Sequence, residues 1–391
     1  KRPKLRFPGF DEPWQTTLLS SVFAKNTQKN TDGRITNVIC NSAKQGLIPQ
    51  REYFDKNIAN SDNTNGYYII EENDFVYNPR KSADAPYGPI SSYKYTEAGI
   101  VSPLYLCFRA KKEINPAFFE WYFRSSAWHR YVYMSGDSGA RHDRVSIKDD
   151  TFFAMPINIP SAHEQAQIAI FLERIEQRIE MQRALVDSLK KYKRGVVAAI
   201  FSHQLKFSDA TGNPYPEWTS CTLQDAVDFL DGQRKPLESA DRAKRQGQYP
   251  YYGASGIIDY IDDFIFDEPL LLLGEDGANI LNRSTPLCFI AEGKYWVNNH
   301  AHVMRPKAGQ NIKFLCELLE SLDYTRYNTG TAQPKLNQDK CRRIGLALPV
   351  YEEQCHIADF LSAFDQRTDK AQSILDYLLS NRDGLLQQLF I

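Results

Sequence analysis

The sequence lacks any apolar run long enough to span a bilayer, so no ordinary transmembrane helix is expected. Its basic opening, KRPKLRFPGF, is interrupted by Pro3 and Pro8 and leads into no apolar stretch of the kind that secretory signals contain. Cysteine is sparse, with seven residues scattered from Cys40 to Cys355 and no C-x-x-C pair. Isolated thiols are typical of a reducing compartment, so we expect a cytoplasmic protein.

The sequence also lacks an excess of positive or negative charge. The 391 residues carry a formal net charge of −1, so any contact with DNA must come from local basic patches. The phosphate-binding G-x-x-x-x-G-K-[ST] and G-x-G-x-x-G motifs are absent, and so is the Pro-Pro-aromatic motif of amino-methyltransferases. We therefore expect this chain to hold no cofactor and no metal of its own.

One amphipathic segment occurs twice. IPSAHEQAQIAIFLERIEQ begins at Ile159 and LPVYEEQCHIADFLSAFDQ begins at Leu348, and the two copies align without gaps 189 positions apart (348 − 159). Such a long match in one register indicates an internal duplication. The identical pairs include Glu164 and Glu353, Gln165 and Gln354, Ile168 and Ile357, Ala169 and Ala358, Phe171 and Phe360, Leu172 and Leu361, Gly195 and Gly384, and Phe201 and Phe390.

The spacing inside each copy predicts a long helix. Apolar residues alternate at steps of three and four, which is the narrow stripe that packs against one partner helix. Ser161 and Glu164 form the pattern of a capping box, whereas the second copy has Val350 at the matching position. The predicted helix–helix seam consists of Ile168, Leu172, Ile175, Ile179, Gln182, Val186, Leu189, Lys193, Val196 and Ile200 in the first copy, and of Ile357, Leu361, Phe364, Thr368, Ala371, Leu375, Leu378, Arg382, Leu385 and Leu389 in the second.

Each helix should run for roughly 40 residues, about 60 Å. The chain then consists of globular residues 1–158, a helix over 159–204, globular residues 205–347 and a helix over 348–391. If the helices share a seam, they must be antiparallel, with the globular regions at opposite ends and a pseudo-two-fold relation suited to two identical partners. The alternative is two unrelated amphipathic helices, each lying on its own domain.

The globular regions are predicted to be mostly antiparallel β-sheet with a few helices, such as PAFFEWYFRSSAWHRYVY over Pro116–Tyr133. Short runs rich in Tyr, Phe, Ile and Val are separated by Gly, Pro, Asn and Asp. The fold class is therefore α+β, with two similar domains and two long antiparallel coiled-coil helices.

Basic residues mixed with aromatic ones gather in four loops, two in each globular region. Arginine, lysine, asparagine and glutamine on loops suit phosphate contact and base-edge readout, although any single loop of this kind could simply be a solvated surface. The candidate DNA-binding residues are Arg80, Lys81, Lys94, Arg141, Arg144, Arg234, Lys235, Arg242, Lys244, Arg245, Gln333 and Lys335.

Two weaker patterns lie in the second globular region. His300 and His302 would lie on one face of a strand, but a metal pair would need further ligands, so a structural role is the better interpretation. Asp276, Glu292 and Lys294 loosely match the triad of a metal-dependent nuclease. This second pattern is common by chance.

The paired P-x-x-x-E-Q-x-x-I-A-x-F-L openings resemble the specificity subunit of type I restriction–modification systems, and so do RFPGF…W, GIVSPLY and GTAQPKL. The resemblance covers essentially the whole chain. It implies a non-catalytic DNA-reading subunit whose two target recognition domains read a bipartite site. The helices would act as a spacer, and 60 Å corresponds to roughly 17–18 base pairs at about 3.4 Å each.

The same resemblance implies partners and docking positions. Two methyltransferase subunits would dock on the repeated regions, at Glu164, Gln165, Glu353 and Gln354, and would bring S-adenosylmethionine and flip the target adenine. Restriction subunits that use ATP and Mg²⁺ would join the assembly. Two other functions remain open: a self-sufficient metal-dependent DNA endonuclease that uses the triad, and a scaffold that binds only proteins.

Overall fold

The computed structural model describes residues 2–53, 64–136, 143–330 and 333–391, which form two compact units. Unit 1 comprises Lys1–Arg183 and Ser373–Ile391, and unit 2 comprises Ala184–Gln372. Within the described ranges, no helix combines the length and the apolar character that crossing a membrane would require. All seven cysteines lie in these ranges and are free thiols.

The strands of unit 1 are β1 (Gln15–Leu18), β2 (Phe23–Lys25), β3 (Ile39–Ser42), β4 (Gly46–Pro49), β5 (Tyr68–Ile70), β6 (Phe75–Tyr77), β7 (Ile90–Ser92), β8 (Gly99–Val101), β9 (Leu106–Ala110) and β10 (Pro156–Ile159). Those of unit 2 are β11 (Thr219–Thr222), β12 (Val227–Phe229), β13 (Gln246–Gly253), β14 (Gly256–Ile261), β15 (Phe266–Asp267), β16 (Leu270–Gly274), β17 (Cys288–Ala291), β18 (Lys294–Val297), β19 (Ala301–Pro306) and β20 (Gly345–Leu348). The helices are α1 (Leu19–Val22), α2 (Gln50–Tyr53), α3 (Pro116–Arg124), α4 (His129–Ser135), α5 (Asp149–Phe153), α6 (Ala162–Phe201), α7 (Leu223–Ala226), α8 (Ser239–Lys244), α9 (Asn279–Asn282), α10 (Ile312–Ser321), α11 (Gln338–Arg342) and α12 (Tyr351–Leu389).

The two units share one scaffold. Unit 1 contains a four-stranded sheet in the order β2-β9-β6-β7, and unit 2 contains its counterpart in the order β12-β19-β16-β17. In each unit the first strand also pairs with the last one, β1 with β10 and β11 with β20. Every pairing between these strands is antiparallel except that of β13 with β18, so the predicted α+β class with mostly antiparallel sheets is confirmed.

Aromatic packing fills the core of unit 1. The ring centroid of Phe23 lies 5.2 Å from that of Phe108 and 5.1 Å from that of Phe119, both in edge-to-face contact. Burial of each such side chain stabilises the fold by about 1.5–3 kcal/mol. Phe119 comes from α3, whose first turn is capped by the Asn115 side chain, which accepts a hydrogen bond from the Phe118 amide.

The helix predicted over 116–133 is interrupted at Ser125, whose backbone is extended and whose hydroxyl donates a hydrogen bond to the Tyr122 carbonyl in the last turn of α3.

In unit 2 the strand β16 is buried on both faces. Leu271 and Leu273 belong to the core that includes α10, and Leu270 and Leu272 belong to a separate core beneath the sheet β14-β13-β18-β15. A continuous apolar run is typical of a strand covered on both sides.

The two long helices run antiparallel within each unit. In unit 1 the start of α6 shares a core with Leu386, Leu389 and Phe390 at the end of α12. In unit 2 the end of α6 shares a core with Ile357 and Leu361 at the start of α12. Each helix end is thus part of its unit's core. Each compact unit therefore contains part of both long helices together with one of the globular regions 1–158 and 205–347.

The residues of the helix–helix seam, including those that form ion pairs, occupy matching positions in the two copies of the repeat. All the predicted seam residues are buried or half-buried, including the two basic ones. Arg382 Nη1 lies 3.2 Å from Glu176 in unit 1, and Lys193 Nζ lies 2.7 Å from Asp365 in unit 2. Both partners are shifted by the repeat offset of 189 (382 − 193 and 365 − 176), so one polar contact occurs once in each unit.

Candidate nucleic-acid interface

In unit 1 the fold brings the two sequence-predicted basic loops together, and in unit 2 it brings one such loop against a segment that the sequence analysis had not assigned to DNA contact. In unit 1 the chain after β6 pairs with the segment that leads to α5, through an antiparallel bridge between Arg80 and Arg144. In unit 2 the chain after β16 pairs with the segment that leads to α11, through a bridge between Asp276 and Lys335. Because β6 and β16 are equivalent strands, the two bridges are the same structural feature with different side chains. We call them the unit 1 bridge and the unit 2 bridge.

The unit 1 bridge is basic. Arg80 and Lys81 are exposed and Arg144 is half-buried, with Asp143 3.9 Å from its guanidinium. The Lys81 amide donates to the Asp143 carbonyl over 2.9 Å, which fixes the backbone beneath these side chains. Three cations on neighbouring backbone segments suit a polyanion. Arg141, the fourth candidate of this region, lies outside the described residues.

Lys94 does not belong to this cluster. Pro89, at the start of β7, accepts a hydrogen bond from Asn78, whereas Ser92 at the other end of the strand lies opposite Phe75. Lys94 therefore follows the end of β7 that is remote from Arg80. It lines a cleft of about 380 Å³ together with acidic side chains of α6, so grouping Lys94 with Arg80 and Lys81 was wrong.

The unit 2 bridge carries both signs of charge. Lys335 Nζ lies 3.4 Å from Glu275, and His300 Nδ1 lies 2.8 Å from Asp276. The side chains of Lys335 and His300 are about half exposed, at 49% and 51%, and Gln333 beside them is exposed. This surface can donate and accept hydrogen bonds, which is what base edges in a groove require.

Arg234 lies inside unit 2, contrary to its prediction as a DNA contact. Its side chain is 14% exposed, and Nη1 lies 2.7 Å from both Glu275 and the Ala301 carbonyl oxygen. The sequence could not reveal this pairing, because Glu275 is distant along the chain and is brought close only by the fold. We therefore assign Arg234 a structural role.

His302 connects this buried network to the unit 2 bridge. Its Nδ1 lies 2.7 Å from Asp231, and its Nε2 lies 2.8 Å from the Leu336 carbonyl, next to Lys335. Burial alone would lower the pKa of His302, but hydrogen bonds with Asp231 and Cys341 raise that pKa to about 10. A protonated His302 donates from both nitrogens and holds the segment after the bridge in place.

Asp231, Glu275 and His302 are close enough to suggest a metal site, but their chemistry does not fit one. A ligating histidine must be neutral with one nitrogen available, and both nitrogens of His302 are hydrogen-bonded. Glu275 is paired with Arg234. His300 lies in the turn before β19 and contacts Asp276 near the surface, so the expectation that it shares a strand face with His302 was wrong.

The nuclease triad is not assembled. Glu292 directly follows Ala291, which lies opposite Leu270 at the start of β16, whereas Asp276 follows the far end of the same strand. Leu270 and Asp276 are six positions apart (276 − 270), about 20 Å along an extended chain at 3.3 Å per residue. Lys294 pairs with Asp267. The sequence pattern placed these groups together only because strand register cannot be read from residue spacing.

The remaining basic candidates lie on α8 and in the residues beside it, ahead of the β13–β14 hairpin. Arg242 Nε lies 3.0 Å from Asp259, and Arg245 Nη2 lies 2.9 Å from Asp262. These arginines brace the hairpin, so their prediction as DNA contacts finds no support in their geometry. Lys235 and Lys244 are exposed.

The predicted docking residues on the repeated helices lie inside the units. Glu164 is 1% exposed and accepts two hydrogen bonds of 2.8 Å from Arg6 and one of 3.2 Å from Trp14. Glu353 and Gln354 are buried too, and Gln354 bonds the Pro349 carbonyl. Half-buried Gln165 makes the same bond to Pro160. These residues fasten each helix start to its unit, so their assignment to partner contact was wrong.

Exposed apolar side chains on the long helices were missed by the sequence analysis. Leu185 on α6 and Ile374 on α12 are 45% and 40% exposed, and they occupy matching repeat positions (374 − 185 = 189). Gly195 and Gly384, another matching pair, have open space where a Cβ would lie. The sequence signal that could have identified these positions is an apolar residue that lies outside the predicted seam in both copies of the repeat.

A model of the type I restriction modification DNA specificity domain family matches residues 12–191 and 215–378. A Haemophilus influenzae protein assigned as a type I restriction enzyme specificity subunit is 32% identical over 155 residues, 39% of this chain and 38% of the relative. The specificity subunit of the Escherichia coli type I restriction enzyme EcoprrI is 28% identical over 154 residues, 39% of this chain and 37% of the relative. The aligned part of the chain thus spans less than two-fifths of these relatives.

Two solved structures share the fold. The S subunit of a type I restriction–modification system from M. genitalium superposes with a TM-score of 0.58 at 16% identity, covering 100% of this chain and 99% of that one. A structure from work on complex assembly and conformational transition of the type I R–M system gives a TM-score of 0.61 at 14% identity, covering 97% and 98%.

Proposed function

Because the chain belongs to the type I restriction modification DNA specificity domain family, we propose that it is the non-catalytic specificity subunit of a type I restriction–modification complex. The observation that carries the proposal is the pair of equivalent bridges, which display different side chains at the same point of one repeated scaffold. A protein that reads two different half-sites needs this arrangement. It is less useful to a scaffold that binds two identical proteins.

The bridges supply the DNA contacts of the proposal. Arg80, Lys81 and Arg144 would bind phosphates or the acceptor-rich edge of guanine, because guanidinium groups form paired hydrogen bonds with both. Lys335, Gln333 and His300 would read a half-site with a mixed set of donors and acceptors. The partner is double-stranded DNA with a bipartite sequence.

Two methyltransferase subunits would dock on the repeated helices. Leu185 and Ile374 supply matching apolar contacts, and Gly195 and Gly384 let a partner helix approach closely. Near Gly195 a groove of about 580 Å³ is lined by Tyr192, Ala199 and other residues of α6. Because the two docking positions repeat, two copies of the same subunit could be bound.

The chemistry would belong to the partners. The methyltransferase subunits would bring S-adenosylmethionine and flip the target adenine out of the duplex. Restriction subunits would supply ATP-dependent translocation and Mg²⁺-dependent cleavage. The complex would act on DNA in the cytoplasm, in keeping with seven free thiols.

The test is co-expression of this chain with its cognate methyltransferase subunit, followed by mass measurement and genome-wide mapping of methylated adenine. We expect two methyltransferase subunits per chain and methylation of a split motif that depends on this chain. An intact, well-folded chain that forms no such complex and directs no methylation would refute the proposal.

A further inference from the structure

The tip of the β13–β14 hairpin in unit 2 is apolar and exposed. Ile257 and Ile258 follow Gly256 in the outer strand β14 and are 45% and 53% exposed, and Tyr260 further along is 48% exposed. Single exposed apolar residues are ordinary, but the adjacent Ile257 and Ile258 concentrate exposed apolar surface at the tip of an edge strand, a patch by that measure. Such a patch favours contact with another molecule.

Contacts link this tip to the unit 2 bridge. Asn298 donates its amide to the Tyr252 carbonyl over 3.0 Å and accepts the His300 amide on its side chain over 2.8 Å. The His300 carbonyl in turn accepts the Glu275 amide, directly before the bridge residue Asp276. Hairpin and bridge are therefore neighbours on one surface of unit 2.

Two glycines make this approach possible. Gly256 has φ of 126°, a backbone conformation that other residues rarely adopt, and it forms the hairpin turn. A Cβ on Gly274, at the end of β16, would lie 2.8 Å from the Ala254 carbonyl oxygen. The tip can therefore lie against β16 only because position 274 lacks a side chain.

The hairpin is braced by contacts from the segment that precedes it. Arg242 and Arg245 bind carboxylates of the outer strand and of the segment after it, and the Arg245 guanidinium lies 5.0 Å above the ring of Trp296. The Tyr251 hydroxyl accepts the Leu237 amide over 2.9 Å. A braced two-stranded ribbon can insert its tip without a large ordering cost.

We propose that this ribbon enters the major groove and that Ile257 and Ile258 contact the 5-methyl groups of thymines in the half-site read by unit 2. The inference rests on the proposed function and adds a specificity determinant to it. The major groove admits a two-stranded ribbon, and the thymine methyl is the apolar group displayed there. Lys335 and Gln333 on the adjoining bridge would contact phosphates and polar base edges beside it.

The test uses the full chain in complex with its methyltransferase subunits, after its motif has been mapped. Each thymine of the site is replaced in turn by deoxyuridine, which removes only the methyl group, and binding is measured. We expect an affinity loss of about fourfold at one or two thymines of one half-site, as burial of a methyl-sized group implies.

The matched variants are Ile257→Ala and Ile258→Ala, with the exposed Leu104→Ala of unit 1 as control. At least one isoleucine variant should bind thymine DNA about fourfold more weakly and lose its sensitivity to deoxyuridine, whereas Leu104→Ala should keep both. Unchanged melting temperatures will show that the variants are folded.

Sequence-specific binding that ignores every thymine-to-deoxyuridine change overturns the ribbon proposal and leaves the proposed function intact. Loss of subunit assembly in the isoleucine variants, with uniform deoxyuridine tolerance, also overturns it and assigns the patch to a protein partner. Absence of any sequence preference in the wild-type complex refutes the proposed function itself.

Discussion

The unit 1 bridge and the unit 2 bridge occupy the same place in two copies of one scaffold, yet their chemistry differs. Arg80 faces Arg144 in the first, and Asp276 faces Lys335 in the second. Backbone pairing is the same in both, so the scaffold does not depend on which side chains are displayed. A duplicated protein can thus change what each half reads without changing how each half folds.

The two units also differ at the first turn of their long helices, α6 and α12, and this difference concerns stability. Glu164 is held by Arg6 and Trp14, whereas its repeat equivalent Glu353 has one buried oxygen with no hydrogen-bond partner among the described residues. Lys206, which aligns with Arg6, pairs instead with exposed Glu217. The same carboxylate therefore stabilises one unit and is poorly satisfied in the other.

The largest effect is expected from removing the cation in unit 1. Arg6→Met leaves the buried Glu164 carboxylate without its cation and with only the Trp14 hydrogen bond, so the free energy of unfolding should fall by about 3 kcal/mol. Calorimetric unfolding of the full chain measures this loss. Lys206→Met is the matched control and should change stability by less than about 1 kcal/mol, because its ion pair is exposed. Equal effects of the two changes would contradict the comparison.

Charges on the docking positions should each remove one partner. Leu185→Asp or Ile374→Asp places a carboxylate in an apolar contact and should weaken one methyltransferase site by about 2 kcal/mol or more. Native mass spectrometry should then show one bound subunit where the wild type has two. Lys190→Asp, on another face of α6, should keep both. If either single change removes both subunits, the two sites are not independent.

The charge difference between the bridges should appear in the salt dependence of DNA binding. Arg80→Ala with Lys81→Ala should reduce the slope of log affinity against log salt by about two, one for each lost phosphate contact. Lys335→Ala should reduce it by about one at most. Lys94→Ala serves as the control and should leave the slope unchanged, because Lys94 lies away from the unit 1 bridge.

The smallest effect concerns Glu353, whose pKa is raised by burial above its ordinary value of 4.5, although Trp218 opposes the shift. The folded chain keeps this proton to higher pH than the unfolded chain does, so stability falls as pH rises from 4.5 through the raised pKa. Glu353→Gln should remove this dependence and stabilise the chain by about 1 kcal/mol at pH 7. Glu164→Gln should destabilise it, since Arg6 loses its partner. The difference in unfolding free energy between each variant and wild type, followed across pH, checks both signs.

Local patterns predicted the helices because the seam depends on spacing within one segment. Even its charged positions, Lys193 and Arg382, follow the repeat and form ion pairs within the seam. The sequence also identified both loops that meet at the unit 1 bridge, but only the Lys335 segment of the unit 2 bridge. It could not distinguish Arg80, which is exposed, from Arg234, whose partner Glu275 is distant along the chain.

Repetition of residues was the other source of error. Glu164 and Glu353 recur because each fastens a helix start, and a repeated packing residue looks the same in a sequence as a repeated docking residue. The register of β16 and β17 likewise places Asp276 and Glu292 at opposite ends of β16, which the sequence alone does not show. Contacts between distant segments decide which polar groups are available.

The central claim is that each bridge reads its own half of a split DNA site. The most direct measurement is to map methylated adenines directed by the wild-type complex, by Arg144→Ala and by Lys335→Ala. We predict that Arg144→Ala relaxes the sequence of one half-site and Lys335→Ala that of the other, with the spacing between them unchanged. Relaxation of the same half by both variants, or of neither half by either, would contradict the account.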